Sequence, residues 1–286
     1  MVGMIEAGYL AGFDWQGCAA HLDAVDPNVA SEVERFLALR SRAENGPPEN
    51  ASESSVTVVG SDRGWLVRTS SWQAWAGGRD QLVYLLLEAF GQVFVEGYAG
   101  AVFHAGAIDL GQGALVLQGS AQAGKSLLAY AAWRAGHTVL GDDRVTLAPS
   151  LDRIGAFPRC LKLRCLSDSE ITVLCEGVPR DSVVTARVGS ERRVIFGRNL
   201  PGFLDYETTR PIRALIQLER SESGVSLEAI EPSEALGVAL RNVVSSDFHP
   251  TAAVRLIKNQ ADQKRLFRLT IGEHQTEAAL ARLRAL

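Results

Sequence analysis

Between an apolar run, Ala114-Leu115-Val116-Leu117-Gln118, and a second run with helical spacing, Leu127, Leu128, Tyr130, Ala131 and Trp133, the chain reads Gly119-Ser120-Ala121-Gln122-Ala123-Gly124-Lys125-Ser126. This is G-x-x-x-x-G-K-[ST], the phosphate-loop pattern, in the one context that gives it meaning: after a strand and opening a helix. The glycines let successive backbone N–H groups turn into a single concavity suited to phosphate oxygens, and the positive end of the following helix adds to the field. In that geometry Lys125 reaches the β- and γ-phosphates of a nucleotide and the Ser126 hydroxyl ligates Mg²⁺. Only Lys125, Lys162, Lys258 and Lys264 among the 29 cations are lysines, so a lysine at the position that requires one is informative. ATP and Mg²⁺ are the expected ligands, with Gly119, Ser120, Ala121, Gln122, Ala123, Gly124, Lys125 and Ser126 as the nucleotide-binding segment.

The flanks extend the prediction. Val102 to Asp109 reads as a strand, and Leu110-Gly111-Gln112-Gly113 is a turn that would pair it with the loop strand as a hairpin. The helix that begins near Ser126 stops at Gly136, and His137-Thr138-Val139-Leu140 is a short strand followed by Gly141-Asp142-Asp143. Strand, loop, helix, strand, acidic pair is the order of a nucleotide-binding α/β unit. It sets Asp142 and Asp143 at the carboxyl edge of the sheet beside the loop. One carboxylate there can hold Mg²⁺ and the other can take the proton of an attacking hydroxyl. We assign the metal side to Asp142 and the base to Asp143; the competing reading, a solvated turn, is disfavoured by the spacing after the loop. His104 fits a satisfied core histidine and a residue beside the loop equally well, the second if the hairpin forms.

The rest of the chain bounds the class. With 286 residues, 47% hydrophobic and 22% charged, it can hold one large domain or a core with an annex. A net charge of −4 excludes a strongly basic nucleic-acid binder, and nothing suggests lipid. Cys18, Cys160, Cys165 and Cys175 are too few and too irregular for a disulfide framework or paired zinc ligands. The first residues lack the basic stretch of a cleavable signal, and Glu88, Gln92, Glu96 and His104 interrupt the richest apolar stretch, so a cytoplasmic protein without a membrane span is expected. A polar segment with two prolines at 44–54 reads as a loop or linker. Before it, Val29 to Ala43 reads as an amphipathic helix; after it come a hairpin, 55–59 with 64–68, and a largely buried helix from Arg79 to Val95. Arg159, Lys162 and Arg164 read as the solvated edge of a strand, or alternatively as cations for a transferring phosphoryl group or an acidic substrate. Arg265 to Ile271 and Thr276 to Leu286 read as a strand and a closing helix.

Taken together, His104-Ala105-Gly106-Ala107-Ile108-Asp109, Ala114-Leu115-Val116-Leu117, the GKS loop, and Arg134-Ala135-Gly136-His137-Thr138-Val139-Leu140-Gly141-Asp142-Asp143-Arg144-Val145 resemble the catalytic core of HPr kinase/phosphorylase and its HPr-kinase-related relatives. The resemblance implies an α/β fold with a P-loop-containing mixed sheet and flanking helices, a core shared with phosphoenolpyruvate carboxykinase, and a smaller N-terminal α+β region. The implied division is an accessory region at 1–95, with its loop at 44–55, and a P-loop kinase domain at 96–286. It further implies phosphoryl transfer to a serine hydroxyl, with His104, Asp142, Asp143 and Lys125 as catalytic residues, and Ser126 and Asp142 on the metal. The glycine-rich signature that follows the aspartates in the regulatory enzyme is absent; Ala156-Phe157-Pro158-Arg159-Cys160-Leu161-Lys162-Leu163-Arg164 stands there instead. That segment is similar to divergent relatives, some of which modify peptide precursors such as lasso peptides. The implied partner is therefore a protein or peptide carrying an acceptor serine, and oligomerisation of the related regulatory kinase leaves a homo-oligomer open. A small-molecule kinase or carboxykinase-like enzyme and a non-catalytic nucleotide-binding module are the alternatives.

Overall fold

A computed structural model describes residues 9–16, 18–24, 26, 28–43, 55–98, 100–165, 167–244 and 250–286. Apart from Ser55, the expected linker at 44–55 lies outside them. In chain order the elements are β1 (Tyr9–Trp15), β2 (Cys18–Ala24), α1 (Asn28–Leu37), β3 (Ser41–Ala43), β4 (Ser55–Ser61), β5 (Gly64–Arg68), β6 (Gln73–Ala76) and α2 (Arg79–Gly97). They continue with β7 (Ala101–Phe103), β8 (Gly106–Asp109), β9 (Ala114–Gln118), α3 (Lys125–Arg134), β10 (Thr138–Gly141), β11 (Val145–Leu147), β12 (Arg153–Ala156), β13 (Leu161–Cys165) and α4 (Asp168–Cys175). The last are β14 (Val183–Val188), β15 (Glu191–Phe196), β16 (Thr209–Arg220), β17 (Val225–Ala229), α5 (Pro232–Arg241), α6 (Pro250–Asp262), β18 (Leu266–Ile271) and α7 (Thr276–Arg284). No described helix is long and apolar enough to cross a membrane.

The chain packs as two units, Met1–Tyr98 with Pro158–Pro201 and Ala99–Phe157 with Gly202–Leu286. A single division near residue 95 therefore differs from the packing in one respect: the excursion at 158–201 belongs with the first unit. The first unit is then comparable in length to the second, not a small annex.

The first unit holds a six-stranded sheet, order β3-β1-β2-β4-β5-β6, and a three-stranded antiparallel sheet, β13-β15-β14. Helix α2 packs against β2, β4, β5 and β6 of the larger sheet and against β14 of the smaller. Contact on two sides is why its apolar residues, from Leu82 and Tyr84 to Phe90 and Phe94, are buried around the helix and not along one stripe. Phe90 meets Phe13 edge-on at 5.1 Å. The helix expected to run to Ala43 ends at Leu37: Ala38 turns to φ +54, and residues 41–43 pair with β1 as β3. Pairing with an edge strand overrides the local helical pattern there.

The second unit is built around β16, whose first residues pair antiparallel with β12 and whose last six pair in parallel with β18. On its other side it runs parallel to β9, with Gln217 beside Gln118. The sheet order is β10-β8-β9-β16-β12-β11-β7, with β18 also on β16 and β17 on β18. All five residues of β9 are buried, as a strand covered on both faces requires. Ala107, Val116 and Leu215 share one core with Ala239, Leu256 and Ile257 of α5 and α6, while α3 packs on β8 and β10 and against α7. The expected hairpin forms, with Gly106 opposite Leu117 and Asp109 opposite Ala114. Asp109 closes its turn by accepting from the N–H groups of Gly111 (2.8 Å) and Gly113 (3.1 Å), an Asx arrangement. The single strand expected over 102–109 is two, β7 and β8. The chain changes partners at His104, whose N–H donates to the Asn242 carbonyl at 2.7 Å.

Candidate active site

The 119–126 loop leaves β9 at Gln118 and passes hard against β16. A Cβ on Gly119, at φ +151, would lie 2.7 Å from the Leu218 carbonyl oxygen, so only glycine passes. Gly124, at φ +106, caps α3 in the left-handed region, where a side chain would be strained. The loop is tied across by Ala123 N–H donating to the Ser120 carbonyl at 3.2 Å, and the helix starts with Leu128 N–H donating to Gly124 at 2.9 Å. Lys125 folds back over its own loop: Nζ donates to the carbonyls of Gly119 (2.8 Å) and Ser120 (3.1 Å). The side chain is buried. Burial pulls its pKa below the ordinary lysine value, and the carboxylates of Asp143 and, more weakly, Asp142 pull the other way. The fields of both aspartates thus reach the loop ammonium.

The acidic pair follows β10, which pairs antiparallel with β8. Asp142 is buried, 3% exposed, whereas the Asp143 side chain is 27% exposed and its Oδ1 lies 2.9 Å from His104 Nε2. The two neighbours lie in a bend after β10, not in an extended strand, and differ in environment. His104 is 45% exposed at its side chain, so it is not a core histidine. The hairpin decides this: His104 precedes Gly106, which is opposite Leu117, and so stands at the end of the sheet from which the phosphate loop departs.

Ser126, second residue of α3, is half-buried, and its hydroxyl makes no hydrogen bond among the described residues. A serine hydroxyl and a carboxylate are hard oxygen donors of the kind Mg²⁺ takes, and an ammonium with a helix N-terminus suits phosphate. The residue types present therefore fit a nucleotide and Mg²⁺.

One residue near the loop has no signal in the sequence. Arg220, last of β16, places its guanidinium over Gly124: a Cβ there would meet Nη2 at 3.2 Å and Cζ at 3.4 Å. Its Nε donates to the Gln122 carbonyl at 3.4 Å. Only the parallel register of β9 and β16 brings it there.

Two cations correct the sequence reading. Arg159 is 8% exposed and the Lys162 side chain 10%, so neither is a solvated strand edge. Within the first unit Arg159 donates to Glu88 Oε2 at 2.7 Å, and Lys162 donates to Glu88 Oε1. Burial raises the Glu88 pKa, but Lys162 and Arg159 outweigh it and bring it down to about 2. Arg164 is exposed and pairs with Glu191 at 3.1 Å, as a solvated edge would.

No protein-family model matches the chain, and no curated protein does. Among solved structures it is similar to the Hpr(Ser) kinase/phosphatase from Coxiella burnetii, with 15% identity and a TM-score of 0.30 over 64% of this chain and 96% of that one.

Proposed function

We propose that the chain is an ATP- and Mg²⁺-dependent kinase that transfers the γ-phosphoryl group to a serine hydroxyl of a protein or peptide, a ribosomal peptide precursor being the kind of acceptor the sequence resemblance suggests. The observation that supports it most is the pairing of an accessible carboxylate, Asp143, with His104 at 2.9 Å, while the same carboxylate acts on the buried ammonium of Lys125. A nucleotide binder without turnover needs the lysine but has no use for an accessible His–Asp pair beside it.

In this reading the loop N–H groups and Lys125 hold the triphosphate and fix its reacting end. Asp143 takes the acceptor proton as the new O–P bond forms and the bond from the γ-phosphorus to the leaving ADP oxygen breaks. His104 keeps that carboxylate in place. Ser126 and Asp142 would hold Mg²⁺, which would neutralise charge on the phosphates.

The test is incubation of the purified chain with γ-labelled ATP, Mg²⁺ and either lysate or serine-containing peptides. Label on a macromolecule, retained as phosphoserine, is the expected result. Label on a small molecule would replace this reading with a small-molecule kinase, and bound nucleotide without transfer would leave a binding module.

A further inference from the structure

The loop already contains one cation, Lys125, at the positive end of α3. A second, Arg220, is packed onto the residue that caps the same helix. A cation at a helix N-terminus opposes the macrodipole, and Arg220 adds a second beside it from the end of β16. The arginine spends only Nε on the protein, at the Gln122 carbonyl. Among the described residues its two terminal nitrogens make no hydrogen bond or ion pair. The adjacent carboxylate, Glu219, is engaged elsewhere, 3.3 Å from Arg268.

The Arg220 side chain is exposed, but the backbone that carries it is not a loose loop. Arg220 ends a strand held in parallel register on both sides, Gln217 beside Gln118 and Arg220 beside Ile271. The next residue, Ser221, donates its N–H to the Ile271 carbonyl at 3.1 Å. The backbone is thus fixed at the carboxyl edge of the parallel strands, where open α/β sheets take their ligands. A guanidinium is a planar fork of donors matched to phosphate oxygens, and this one is held beside a phosphate loop with the fork unspent.

We infer that Arg220 is a nucleotide-binding residue, donating its terminal guanidinium nitrogens to the phosphate chain of the nucleotide held by the 119–126 loop. The inference rests on the proposed function only in taking that loop to bind a nucleoside triphosphate. Arg220 and Lys125 then divide the phosphate charge between them.

The test is calorimetric titration of the full chain with Mg²⁺-free ATP and, separately, with inorganic tripolyphosphate. It compares the parent with Arg220→Gln, Arg220→Lys and Lys125→Ala, and thermal denaturation of each checks the fold. Arg220→Gln should weaken both ligands by about tenfold or more, the loss expected for a charge-assisted contact, and should flatten the salt dependence of binding. Arg220→Lys should recover part of the loss, because it restores the charge but not the fork. Loss on ATP with none on tripolyphosphate would move Arg220 to the base or ribose and overturn the inference. Parental affinity of Arg220→Gln for both ligands, with Lys125→Ala impaired, would also overturn it while leaving the loop assignment standing. A parent chain that binds neither ligand would remove the loop assignment and this inference together.

Discussion

His104 Nε2 and Asp143 Oδ1 lie 2.9 Å apart, although one residue precedes the phosphate loop and the other follows the strand after it. A carboxylate can only accept a hydrogen bond, so a contact of this length suits a ring N–H facing it. The pair is partly exposed on both sides, which leaves Asp143 accessible to an acceptor hydroxyl. Asp143→Asn should keep ATP binding and lower phosphoryl transfer by about a hundredfold or more, as loss of a general base does. His104→Gln should lower transfer less, because it removes a positioning contact and not the base. Single-turnover rates at saturating ATP check both, and a rate for Asp143→Asn equal to that of the parent would make the pair a solvated turn.

Lys125→Ala should weaken ATP binding by about tenfold or more and abolish measurable transfer. In the free protein the Lys125 ammonium hydrogen-bonds, among the described residues, only to carbonyls of its own loop, so the circular-dichroism spectrum should be unchanged. Equilibrium binding of a fluorescent ATP analogue gives the affinity. Unimpaired transfer by this variant would end the phosphate-loop assignment.

The buried member of the acidic pair should behave differently from its neighbour. Asp142→Asn and Ser126→Ala should each raise the Mg²⁺ concentration needed for half-maximal transfer, with part of the activity recovered at high Mg²⁺, since both remove a hard oxygen ligand. A Mg²⁺ titration of transfer for each variant reads this directly. An unmoved midpoint in both would remove them from the metal side.

In the first unit, Glu88→Gln would leave Arg159 and Lys162 buried without their carboxylate, and unfolding should become easier by about 3 kcal/mol. The folded-state pKa of Glu88, about 2, lies below its ordinary value of 4.5. The cluster's contribution is therefore complete above pH 4.5 and is lost as pH falls from there towards 2. Denaturant unfolding of parent and variant across pH 2 to 7 should give curves that converge at the acid end. A gap that persists at pH 2 would place the stabilisation in packing and not in charge.

The strand–loop–helix–strand unit over 114–141 was legible because its signals are local. Strand β9, the loop, α3 and the acidic pair follow one another in sequence, and each is specified by its own residues: buried alternation-free apolar side chains, glycines where the backbone must pass Leu218 or turn left-handed, and a helical repeat. The hairpin of β8 and β9 was legible for the same reason, since Asp109 and two glycines write its turn. Other features depend on residues far away in the chain and were not. The helix read through Ala43 stopped at Leu37 because β1 offered residues 41–43 a partner. The strand over 102–109 broke at His104 because its two halves serve different neighbours. Arg159 and Lys162 look solvated in sequence, and only the packing of α2 brings Glu88 to bury them.

The same division runs through the site. Sequence alone determined that Lys125, Ser126, Asp142 and Asp143 stand in one strand–loop–helix–strand unit, because short-range spacing along strand, loop and helix fixes where each can stand. Tertiary structure decided that His104 meets Asp143, that Asp142 is buried while Asp143 is open, and that Arg220 lies over Gly124. These are set by the register of β8 on β9 and of β9 on β16. Strand register depends on the buried faces of both partners and on turns elsewhere in the chain, so it is a property of the assembled sheet and not of either segment.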